Sequence, residues 1–128
     1  MRIAAALFGL VPLAAGADTA SFCASLGTED AFSNAECSTS LVLGGGTSFD
    51  CAWGFDYRSV EATLAFELLV EQVAECGELI TAQDQQVSHP DSYDLRQYSV
   101  DGKEVSVSLK DKGALNQTYV FFRSVDLN

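Results

Sequence analysis

His89, Pro90, Asp91 and Ser92 bring the residue types of a hydrolytic triad into four consecutive positions. Neighbours in sequence point apart, so these side chains cannot converge as nucleophile, base and orienting acid, and the literal triad is rejected. Pro90 and Asp91 instead suit the middle of a turn leading into a strand. The remaining catalytic option is His89, the only histidine, acting as a base toward a distant Ser or Tyr with Asp91 or Asp94 orienting it.

A second set of chemistry-bearing residues is acidic. Glu67, Glu71, Glu75 and Glu78 follow at intervals of 4, 4 and 3 with no Lys or Arg among them. That spacing predicts one ridge on a helix. Like charges so placed repel by a few tenths of a kcal/mol per pair, and those near the helix C-terminus oppose its dipole. The ridge is read as a solvated face that keeps an acidic protein soluble, or as a docking surface for a basic protein partner. Asp94, Arg96 and Tyr98 alternate along one strand and should share a face, where an Arg beside a Tyr can recognise carboxylates or aromatic groups. The plainer reading is an Arg that answers a nearby acid.

No other motif identifies a reaction. Acid spacing matches no calcium loop, Gly44-Gly45-Gly46 joins two strands rather than opening a helix, and no metal or cofactor is expected. Cys23, Cys37, Cys51 and Cys76 are spaced by 14, 14 and 25 without the short pairs typical of zinc sites, so two disulfides are expected. Lys110-Asp111-Lys112 is the densest basic patch and is too short to hold nucleic acid.

The compartment follows from the first residues. Met1-Arg2, an apolar run from Ile3 to Ala15, and the small residues Ala15-Gly16-Ala17 have the form of a bacterial signal peptide cleaved after Ala17. No later run reaches the roughly 20 apolar residues of a membrane span. The expected product is a periplasmic or secreted domain, residues 18–128. It retains six bases against eighteen acids, a net charge of −12 that disfavours nucleic acid and anionic membranes. Asp18 to Asp84 holds twelve of the acids and only one base, Arg58.

The elements that position these residues can be read from periodicity. Residues 18–26 suggest a short helix, and 38–43 and 48–57 suggest a hairpin. In the second strand Phe49, Cys51, Trp53, Phe55 and Tyr57 alternate with polar or small residues. Ser59 is a suitable N-cap for a helix over 60–76, with Ala62, Phe66, Leu69, Val73 and Cys76 on one stripe and Gly77 as the stop. A polar link over 81–91 precedes strands at 93–100, 104–110 and 118–125, the first two joined by Asp101-Gly102. The fold class is therefore α+β: an antiparallel sheet of about five strands with one long helix on one face. Cys51 and Cys76 then fall on faces that meet, which favours Cys51–Cys76 with Cys23–Cys37. The alternative pairs Cys37 with Cys51 across the hairpin and Cys23 with Cys76.

A rigid, stapled α+β scaffold without a catalytic constellation is read as a non-enzymatic binding or interaction module of the bacterial envelope or exterior. A hydrolase using His89 and a secreted enzyme inhibitor are the alternatives. The acidic excess has a direct consequence: screening by salt should raise the melting temperature between low salt and about 0.5 M NaCl. Melting curves that stay flat or fall over that range would show that the acids repel one another little.

Overall fold

In a computed structural model, residues 21–28, 32–84 and 90–127 are described. Residues 1–17, read above as a signal peptide, and His89 lie outside them. Residues 21–24 are helical (α1), followed by strands β1 (Glu36–Leu41) and β2 (Thr47–Asp56) and the long helix α2 (Val60–Ala74). Strands β3 (Glu78–Gln83), β4 (Tyr93–Val100), β5 (Lys103–Lys112) and β6 (Gln117–Asp126) complete the chain. All neighbours in the sheet are antiparallel, in the order β1-β2-β6-β5-β4-β3.

Each turn is explained by its residues. Gly44, Gly45 and Gly46 all have positive φ at the tip between β1 and β2, where a side chain would be strained. Asp101 and Gly102, both with positive φ, close the β4–β5 hairpin. Ser59 caps α2 by accepting from the Ala62 amide at 3.2 Å, and Glu61 places a carboxylate in the first turn.

The length of α2 suits its task. It connects β2 to β3, which are four strand spacings apart in the sheet, a crossing of about 19 Å. Fifteen helical residues span about 22 Å, so the helix alone bridges the sheet and lies over β2, β6, β5 and β4. It buries Ala62, Ala65, Phe66, Leu69 and Val73. Strand alternation sends Phe49, Cys51 and Trp53, Val105, Val107 and Leu109, and Val120 and Phe122 to meet them. Phe22, Leu26 and Phe32 close the remaining side of the core.

Two expectations are corrected. The sheet has six strands, because residues 78–83 form an edge strand. All six of its residues are exposed, and a register shift between Leu79 and Thr81 interrupts the alternation, so there was no burial period to read. Consequently α2 stops at Ala74 and Glu78 belongs to β3. Gly77 serves a close approach: a Cβ there would lie 2.0 Å from the Ser99 carbonyl oxygen of β4.

The favoured disulfide pairing is also overturned. Cys23 is bonded to Cys76, and Cys37 to Cys51. Register decides this, since Cys37 and Cys51 sit directly opposite on β1 and β2 with Cα atoms 4.0 Å apart. Cys76 lies past the helix end, within reach of α1. The closed loops span 53 and 14 residues, and chain entropy then gives about 4 kcal/mol for Cys23–Cys76 and about 3 kcal/mol for Cys37–Cys51. Peptide mapping without reduction should recover these two pairs. In urea titrations, replacing Cys23 and Cys76 by Ala should cost more stability than replacing Cys37 and Cys51, and the reverse order would contradict the assignment.

Candidate functional site

The strand β1 begins opposite Ala52, so the last four residues of β2 have no strand neighbour on that side. The N-terminal half of α2 stands over this gap. Trp53 and Phe55 reach it because they alternate in phase with the core-facing residues of β2, while Leu64, Ala65 and Leu68 reach it by helical spacing. Together they line a cleft of about 530 Å³ with Asn34 and Glu61 as its polar side chains. Trp53 is held in place: its indole N–H donates to the Ser33 carbonyl at 3.0 Å, and Phe32 meets its ring edge-on at 5.6 Å. Leu64 remains 46% exposed and Val60 70%. This arrangement offers apolar contact and one carboxylate, which is binding chemistry.

The second feature of note is a buried carboxylate. Asp111 is fully buried on β5, in phase with Val105, Val107 and Leu109. It accepts from Arg58 Nε at 2.8 Å, Ser92 Oγ at 2.7 Å and Thr118 Oγ1 at 2.8 Å. Burial pushes its pKa up, but hydrogen bonds from Ser92, Arg58 and Thr118, with the charge of Arg58, more than offset this and hold it below the ordinary aspartate value. Arg58 itself has φ +53, and its amide donates to Thr118 Oγ1 at 2.7 Å. The cluster thus ties the β2–α2 turn to the ends of β5 and β6 and to the segment before β4. Tyr57 reinforces the joint by donating to the Pro90 carbonyl at 2.9 Å.

The residues singled out from the sequence are dispersed. His89 lies outside the described residues. Ser92 is buried and donates to Asp111, while Asp91 accepts from the Gly113 amide at 2.9 Å. Asp94, Arg96 and Tyr98 do share the helix-facing side of β4. There Arg96 pairs with Asp84 at 3.1 Å, donates to the carbonyls of Gln83 and Leu95, and lies 5.9 Å from the centre of the Phe66 ring. Tyr98 is buried, which raises its pKa, and the nearby Arg96 charge lowers it in part. Glu67, Glu71 and Glu75 are exposed on or at the end of α2, whereas Glu78 starts the edge strand, so four glutamates do not form one helical ridge.

Asp111 and the cleft escaped sequence reading for different reasons. Asp111 carried a usable signal, a carboxylate in phase with three apolar strand residues. The cleft carried none, because Trp53 and Phe55 have the same alternation whether or not β1 extends beside them.

Among the described residues no group of three His, Cys, Asp or Glu is set to hold a metal, and no helix is long and apolar enough to cross a membrane. No family model matches the chain, and no curated protein matches it. The crystal structure of CalU16 from Micromonospora echinospora is similar at 11% identity and a TM-score of 0.37, over 74% of this chain and 70% of that one. That overlap is too loose to define a shared fold.

The Asp111 cluster makes acid stability testable. A carboxyl with a lowered folded pKa contributes stability that is complete above the unfolded value, about pH 4, and is lost as pH falls through the folded value. Asp111→Asn should cost about 2 kcal/mol at neutral pH, since it removes the charge from three hydrogen bonds. It should also flatten the loss of stability below about pH 4. Urea melts of both proteins across pH check this, and an unchanged acid slope in the variant would contradict the role of Asp111.

Proposed function

We propose that the protein is a small exported, non-enzymatic binding module. Its ligand is a small, mainly apolar molecule with a basic or other hydrogen-bond-donating end, held in the cleft between α2 and the end of β2. The observation that carries this reading is the cleft itself: apolar walls from Trp53, Phe55, Leu64 and Leu68, with Glu61 as its one charged side chain. A cavity of that size is within the range that encloses most of a small ligand. Glu61 sits in a chain of formal net charge −11, so a cationic end is favoured and an anionic one repelled. Export is supported by the two disulfides, which persist in oxidising compartments.

Trp53 is the sole tryptophan, so its fluorescence reports on the cleft. Titration with octylamine should shift its emission, and octanoate should bind at least about tenfold more weakly, roughly 1.4 kcal/mol. Glu61→Gln should narrow that preference, and Leu64→Glu at an exposed position should abolish binding of both probes while leaving the melting temperature near that of the parent. Emission unmoved by millimolar octylamine, or an unchanged response in Leu64→Glu, would overturn the proposal.

A further inference from the structure

The sheet has a second face, and no described element covers it. Register places Tyr119 of β6, Lys110 of β5 and Tyr93 of β4 in one row across this side, with Phe121 in the next row and Arg123 in the one after. The Tyr119 and Phe121 rings stack with centroids 5.7 Å apart and planes at 22°, and Lys110 Nζ lies 5.5 Å from the Tyr93 ring centre. Small residues at Ala52, Ser106 and Ser108 keep the floor low and leave a trough of about 420 Å³. At its rim the Asp50 carboxylate is oriented by Ser48 Oγ, which donates to it at 3.0 Å, and by Arg123 Nε at 3.7 Å.

We propose that this trough binds an uncharged β-linked oligosaccharide whose hydroxyls are all equatorial. Such a ring has a flat C–H face of slightly positive character, which suits the negative face of an aromatic ring. Its rim hydroxyls each donate and accept, so they need a carboxylate and cations side by side, as Asp50, Lys110 and Arg123 provide. Other occupants fit less well. An apolar protein surface would strip water from these charged groups and from Glu36, which also lines the trough, and an anionic polymer would meet a chain of net charge −11. Tyr93 and Phe121, the aromatic side chains that line the trough, stand two strand spacings apart across the sheet, about 10 Å, which suits alternate rings of an extended chain. The trough and the cleft lie on opposite faces of the sheet, so this inference is independent of the cleft's ligand.

Cellohexaose added to isotopically labelled protein provides the test by nuclear magnetic resonance. The expected result is a set of shifts confined to Tyr93, Tyr119, Phe121 and the serines of β5, with the Trp53 indole unmoved and little change in affinity up to about 0.5 M NaCl. Phe121→Ala and Arg123→Ala should each weaken binding at least fivefold. Arg123 is half-exposed, so that variant carries the test if Phe121→Ala does not fold. No shifts at millimolar cellohexaose, unchanged affinity in Arg123→Ala, or a preference for acidic alginate would overturn the proposal. So would the same resonances moving with protein concentration alone, which would make the face a contact between copies.

Discussion

The sheet is held together by its last strand. β6 enters between β2 and β5, pairing ten residues with the first and nine with the second, and so joins the β1–β2 hairpin to the β3–β4–β5 meander. Without it each part is a small sheet with an unpaired edge and one unburied apolar face. At the centre of this seam Phe122 is fully buried, 4.5 Å from the Phe32 ring and 6.4 Å from Phe49. A cavity there would cost on the order of 3–5 kcal/mol. The pairing of β2 with β6 is long-range, so its loop-closure entropy must be met before its contacts form. Both disulfides act upstream of that step, since their cysteines all precede β3.

The same seam organises the two faces. Because β6 aligns in register with both neighbours, Thr118, Val120, Phe122 and Ser124 point toward α2 while Tyr119, Phe121 and Arg123 point away. Asp111 lies opposite Thr118 at the end of the seam, where a buried charge is tolerable only because three donors converge on it. That corner fixes the turn from which α2 departs, and the departure sets how the helix stands over the end of β2. Cleft, buried carboxylate and outer trough are therefore consequences of one strand insertion. The surface of α2 follows a different logic. Glu67, Glu71 and Glu75 are exposed and make no ion pair among the described residues, which suits a solvated face.

Local chemistry in the sequence sufficed for the fold class, five of the six strands, the long helix with its Ser59 cap, and the use of all four cysteines in disulfides. Each of these rests on near neighbours: alternation along a strand, 3.6-residue spacing on a helix, a hydroxyl before the first turn, or two positive-φ residues in a hairpin. The shared face of Asp94, Arg96 and Tyr98 was legible for the same reason. Tertiary structure alone decided the strand order, the cysteine pairing, the sixth strand and the cleft. Cys37 meets Cys51 through register, a property of two strands rather than one. The β3 strand has no buried residue, so its only cause is the open edge of β4. The cleft exists because β1 begins at Glu36 and not a few residues earlier, leaving Trp53 and Phe55 with β6 on one side and no strand on the other. Sequence determines what each segment prefers to bury; which segments meet is decided by how the whole chain closes its sheet.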